Sequence, residues 1–220
     1  MRLDEDIAFK SDSGFTLIEV LLALTIFAIG ILAVITLSDA NVRLAKESAD
    51  RVLVANLARE GIELVRNVRD SNWLKIEDNQ TDCGGSDICP WDYRLHAEDN
   101  GGFFAIDYTY ETTGLLTGCT SWDNCLDSSS ALGRIYLNET TGYYSHQPGG
   151  KVTNFSRIIK IENLCLANDG TSITETPRST VCTPGIEEKV GIVVTAKVRY
   201  RIHGKTIDFD AVEHLYNWRY

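Results

Sequence analysis

The chain has 220 residues, enough for one ordinary domain with an extension. Hydrophobic residues at 44% and charged residues at 24% exclude wholesale disorder, and only 4 prolines exclude a polyproline stalk. Against 21 Lys and Arg stand 31 Asp and Glu, a net charge of −10; phosphate needs a basic footprint, so no nucleic-acid partner is predicted.

Chain order begins with FTLIEVLLALTIFAIGILAVITL, from Phe15 to Leu37, which carries a single charge, Glu19. As a helix this run spans about 34 Å, enough for a bilayer core of about 30 Å. An ordinary signal anchor or secretory signal would account for length and apolarity, and Ser38-Asp39-Ala40 offers small residues for a signal peptidase. The preceding MRLDEDIAFKSDSG holds two basic and four acidic residues, so the positive n-region is missing. The run also exceeds a usual h-region, and a carboxylate near its start costs an anchor free energy and brings it nothing.

Gly14 followed by FTLIEVLLAL resembles the processing site of type IV prepilins and of the pseudopilins of type II secretion. The resemblance implies a leader, residues 1–14, that a membrane prepilin peptidase removes between Gly14 and Phe15. It implies N-methylation of Phe15, and it makes Glu19 the fifth mature residue. Residues 15–37 would then anchor the chain in the cytoplasmic membrane and later form the filament core. In the family's assembly scheme the Phe15 amine of one subunit pairs with the glutamate of a neighbour. At about 4 Å and an effective dielectric near 20, such a pair attracts by about 4 kcal/mol before desolvation is subtracted. The implied partners are prepilin peptidase, other pilins or pseudopilins, an assembly platform and the membrane. Two features depart from the family pattern. The leader is net acidic, with only Arg2 and Lys10 positive, and Arg43, Lys46 and Arg51 follow the run, so charge does not set orientation. No proline falls in Gly30–Leu37, which leans toward a minor pilin or pseudopilin.

Helical periodicity continues beyond Leu37, over residues 38–76. Val54, Leu57, Ala58, Gly61, Ile62, Val65 and Val68 recur at three- and four-residue steps, with Glu60, Glu63, Arg66 and Asn67 opposite. The helix is expected to end between Asn72 and Asp78, and its apolar stripe calls for a sheet. Gly30 and Gly61 are candidates for bends or close packing. Residues 77–102 read as loop. Residues 103–220 read as an antiparallel sheet. Phe104, Ile106, Tyr108 and Tyr110 alternate with Ala105, Asp107 and Thr109. Further strands are expected at Arg134–Leu137, then after the turn Asn138–Gly142 at Tyr143–Gln147, and from Asn154 to Leu166. Lys189–Ile202 places Val190, Ile192, Val194, Ala196, Val198, Tyr200 and Ile202 on one face, with Lys197, Arg199, Arg201 and His203 on the other. His203-Gly204 turns into Thr206–Tyr216, with Ile207, Phe209, Ala211 and Leu215 inward. The predicted class is α+β: a long N-terminal helix packed on an antiparallel meander, an order that the pilin resemblance also implies.

Six cysteines, Cys83, Cys89, Cys119, Cys125, Cys165 and Cys182, all follow the apolar run. They allow fifteen pairings. The simplest joins neighbours, 83–89, 119–125 and 165–182, each stapling a loop. Zinc is disfavoured because the spacings are too wide and no His-x₃₋₅-His accompanies them. Disulfides place the domain in an oxidising compartment outside the cytoplasm. Acidic residues cluster at Glu98-Asp99-Asn100, Asp123–Asp127 and Asn168-Asp169 without EF-hand spacing. No cofactor is predicted; some pseudopilins bind calcium, so the resemblance leaves a loop Ca²⁺ site open. His96, His146, His203 and His214 are scattered and read as surface or strand residues. There is no G-x-S-x-G, P-loop or H-E-x-x-H, so no enzyme is predicted. Trp73 and Trp218 read as packing residues. A structural filament subunit is the first reading. The alternative is a membrane-anchored or filament-tip binding module, adhesin-like, resting on loops 83–89 and 119–125 and on Trp91, Tyr93 and Trp122.

Overall fold

The computed structural model describes residues 14–78, 90–95, 102–109, 116–127, 130–177, 180–202 and 204–218. The chain divides into two units, residues 1–49 and 50–220.

Helix α1, Leu17–Glu77, contributes to both units and runs through Gly30 and Gly61 without interruption. Good helix formers and the absence of proline sustain it. Lys75 sits favourably in its last turn. In the first unit the apolar side chains from Phe15 to Leu37 are exposed all round the helix. In the second unit the predicted stripe is buried in full: Val54, Leu57, Ala58, Gly61, Ile62, Val65 and Val68.

That stripe lies on a seven-stranded antiparallel sheet: β1 Phe103–Phe104, β2 Arg134–Leu137, β3 Tyr144–Ser145, β4 Lys151–Ala167, β5 Ile173–Pro177, β6 Glu187–Ile202 and β7 Lys205–Tyr216. A short helix, α2, spans Trp122–Leu126. Strand β4 is the spine. Along one edge it pairs β6 from Phe155 to Ala167. Its other edge is shared in turn by β2, β1 and β5. The helix-facing layer comprises Phe155, Ile159 and Ile161 of β4 with Ile192, Val194, Ala196, Val198 and Tyr200 of β6. Gly61 lies close against the sheet. A Cβ there would lie 2.7 Å from Ile159 Cδ1 and 3.3 Å from Arg157 Cδ, so Gly61 serves close packing, and the helix is not interrupted there.

Several expectations need correction. The sheet is not a simple meander: β5 folds back on β4, and the chain then crosses to the opposite edge of β4 as β6. Strand β5 escapes a hydrophobic reading because ITETP is short, polar and exposed, with proline at its end, as suits an edge strand. The strand expected from Phe103 stops after Phe104. Residues 103–107 are consecutively buried, and Asp107 Oδ1 accepts from the Thr109 amide at 2.8 Å and its hydroxyl at 2.5 Å. This side-chain turn bends the chain at Tyr108. Tyr110 lies outside the described residues. Phe209, expected inward, is 38% exposed, because α1 covers β4 and β6 and leaves the edge strand β7 partly open. The β6–β7 turn is tight, with Ile202 paired to Lys205 and Gly204 at φ 76°, a conformation glycine adopts freely.

Cys119–Cys125 and Cys165–Cys182 are disulfide-bonded, with Cα separations of 5.4 and 5.6 Å. The first staples α2 to the strand-like segment before it, and the second ties the β5–β6 connection to β4. Cys83 and Cys89 lie outside the described residues.

Candidate functional site

The start of α1 is built around Thr16. Its carbonyl accepts from the amides of Glu19 and Val20 at 3.1 and 3.2 Å, and its Oγ1 lies 3.4 Å from the Glu19 amide. Thr16-x-x-Glu19 is the spacing of a capping box, a signal in the sequence that fixes where the helix begins. Glu19 lies in the first turn, where the helix dipole favours a negative charge. Its carboxylate makes no hydrogen bond or ion pair with the described residues. Elsewhere in the run, the Thr25 and Thr36 hydroxyls donate to the carbonyls of Leu22 and Ala33, at 2.8 and 2.9 Å. These polar groups are satisfied within the helix, as an apolar environment demands. Glu19 is left as the one ionisable side chain between Phe15 and Leu37.

Among the described residues nothing lies within 4 Å of where a Gly14 Cβ would sit, and its φ is not positive. Neither packing against the described residues nor backbone conformation therefore asks for glycine there, which fits a glycine read by another molecule. Phe15, beside it, is 82% exposed and accessible to such a reader.

Residues 9–35 match the family model of the prokaryotic N-terminal methylation motif. The chain carries the type IV prepilin signature. No curated protein and no solved structure matches it. The signature supports a type IV pilin-like precursor, and such a motif implies processing by prepilin peptidase and assembly with other pilins. Among the described residues, α1 is the one helix long and apolar enough to cross a membrane.

The remaining candidates divide by what surrounds them. The rings offered for a binding module are largely engaged inside the fold. Trp122 meets Phe103 edge-on at 4.9 Å and carries Lys197 Nζ 4.9 Å above it. Trp91 packs against the core with Lys189 Nζ at 5.4 Å, and buried Asn72 donates to the carbonyls of Trp91 and Tyr93 at 3.1 and 2.8 Å. Trp73 and Trp218 stand together, centroids 5.8 Å apart. Glu98, Asp99, Asn100, His96 and His203 lie outside the described residues. Asp123 is paired with Arg199 at 3.2 Å, and Asp169 turns its carboxylate onto Thr171. His214 is exposed beside Glu175.

His146 is a correction: it is neither a surface nor a strand residue, but a buried one after β3. Its amide donates to Asp107 Oδ2 at 2.7 Å, and its Nδ1 faces the Arg134 carbonyl at 3.1 Å, which fixes the proton on Nδ1. Burial and the nearby Arg157 push its pKa down to about 3, so the ring is neutral. Burial alone would raise Asp107, but the hydrogen bonds from Thr109 and the His146 amide outweigh it and hold the carboxyl below its ordinary value. Arg157, 1% exposed, donates to Leu57 O at 2.9 Å and Ile106 O at 2.7 Å and lies 3.3 Å from Glu60. It joins helix, strand and loop, and sequence reading missed it. The signal was available: Arg157 occupies a helix-facing position between Phe155 and Ile159 in an alternating strand.

Proposed function

We propose that this chain is a structural subunit, a minor pilin or pseudopilin, of a type IV pilus-like filament. Prepilin peptidase cuts between Gly14 and Phe15, Phe15 is N-methylated, and the apolar helix carries the subunit from the cytoplasmic membrane into a bundle of like helices. Two disulfides support an oxidising location for residues 50–220, outside the cytoplasm.

The observation that carries this reading is Glu19: the single acid of a fully apolar run, with no partner among the described residues, four positions after Phe15. Cleavage leaves an amine at the positive end of a helix dipole, an unfavourable place for a cation. In an apolar bundle that cation and a lone carboxylate each carry a large desolvation cost, and pairing offsets it. The amine of one subunit meeting Glu19 of the next meets both needs. Glu19→Ala is therefore expected to be cut and methylated normally, with the mass of a chain starting at methylated Phe15, yet to fall at least tenfold in sheared filament fractions. Normal incorporation would remove Glu19 from assembly. A mature chain starting at Asn41 would replace this reading with ordinary secretion.

A further inference from the structure

A cavity of about 270 Å³ opens on the sheet face turned away from α1. Three arginines border it, Arg134, Arg199 and Arg201, in a chain whose net charge is −10. The sheet register gathers them. Arg134 of β2 pairs with Ser156 of β4, Ser156 with Arg199 of β6, and Arg199 with Asp208 of β7. Arg201 stands two residues on, opposite Thr206. Because β-strand side chains alternate, Ile135, Phe155 and Tyr200 turn to the helix while these arginines turn outward.

Some of these groups are engaged, Arg134 and Asp127 among them, and others are not. Arg199 is held by Asp208, at 2.7 Å from Nε and 2.8 Å from Nη2, and by Asp123 at 3.2 Å. Its charge is thereby balanced, so it offers oriented N–H groups more than net field; its Nη1 has no acceptor among the described residues. The side chains of Asn154, Ser156, Arg201 and Thr206 all border the cavity, and none has a hydrogen bond or ion pair among the described residues. Asp127 is the acid on the wall. Val152, well exposed on the wall, supplies apolar surface.

We propose that this cavity binds a carboxylated sugar. A guanidinium matches a carboxylate in a two-bonded fork, which assigns the carboxylate to Arg201. Hydroxyl and amide side chains that lack internal partners suit the hydroxyls of a pyranose, with Asp127 accepting from one of them. The C–H face of the ring lies against Val152. The volume admits one ring. The site stands on this cavity and not on the filament reading, and binding is read with the unassembled chain.

The test is calorimetric titration of the full chain, in a detergent without a sugar headgroup, with glucuronate, glucose, acetate and inorganic phosphate. Saturable binding of glucuronate is expected, at least fivefold tighter than the other three. Arg201→Gln removes the carboxylate partner at an exposed position and should weaken glucuronate at least tenfold. Asn154→Asp sets a like charge in the cavity and should do the same; it serves if the arginine variant does not fold. Equal binding of glucose would overturn the role of charge. Equal binding of acetate or phosphate would overturn recognition of the sugar. No saturable heat, or undiminished binding in both variants, would overturn the site.

Discussion

Residues 15–37 and residues 54–73 belong to one helix and treat their apolar side chains in opposite ways. In the first stretch every large hydrophobic side chain is exposed; in the second, Val54, Leu57, Val65 and Val68 are at most 3% exposed. Composition explains the contrast. The first stretch is apolar on all faces, so no single partner surface could cover it. The second confines its apolar residues to a stripe that one sheet covers. The first therefore needs an environment supplied from outside the chain, lipid or other helices, while the second is satisfied within it. The charges follow this division too. Arg157 finds carbonyls and Glu60 in its own chain, whereas Glu19 finds no partner among the described residues.

The sharpest way to break that contrast is to remove each charge in turn. Arg157→Ala leaves the Ile106 carbonyl without its donor and opens space beneath Gly61. It should destabilise the folded unit by about 3 kcal/mol, read as a shift in urea midpoint by tryptophan fluorescence. Glu19→Ala should move the same midpoint by less than about 0.5 kcal/mol. If the two variants destabilise equally, the stalk and the folded unit are not energetically separate, and the division drawn here is wrong.

Legibility in the sequence follows the same division. The stripe on α1, the register-bearing strands β4, β6 and β7, and the prepilin-type segment are all carried by periodicity or by a short ordered motif. What escaped depends on contacts between distant residues. Strand β1 ends because one carboxylate, Asp107, folds back on Thr109 and also takes the amide of His146, a partner 39 residues away. His146 is buried for the same reason. Strand β5 draws its existence from pairing with β4 and not from its own pattern. Trp122 looked available as a lone aromatic in a loop; only Phe103 and Lys197 show that its faces are taken.

The buried histidine offers a second, pH-dependent handle on the folded unit alone. Unfolded, His146 titrates near 6.5; folded, at about 3. Between these values the unfolded chain takes up a proton that the folded chain refuses. Stability is therefore complete above about pH 6.5 and falls as pH drops toward about 3. Asp107, held below 3.8 in the folded state, adds a loss of the same sign at the acid end. His146→Asn keeps an N–H for the Arg134 carbonyl and cannot be protonated. Urea midpoints measured from about pH 6.5 to about pH 4.5 should lose most of their slope in this variant. An unchanged slope would assign the acid sensitivity to other groups.

Effects smaller than that of Arg157→Ala come from two glycines in the same helix. At Gly30 a Cβ meets nothing within 4 Å, while at Gly61 it meets Ile159 and Arg157. Alanine gains about 1 kcal/mol of helix propensity at either site. Gly30→Ala should therefore keep or raise helix content in detergent, measured by circular dichroism on heating. Gly61→Ala sets the same gain against a contact of 2.7 Å with the end of the Ile159 side chain, which can turn aside, so the net change should stay within about 1 kcal/mol. Gly61→Leu leaves no such escape and should cost about 2 kcal/mol. The pair also separates the two environments. If Gly30→Ala is neutral in detergent but lowers recovery in filaments, then a neighbouring helix packs at Gly30 as the sheet packs at Gly61, and one glycine serves assembly where the other serves folding.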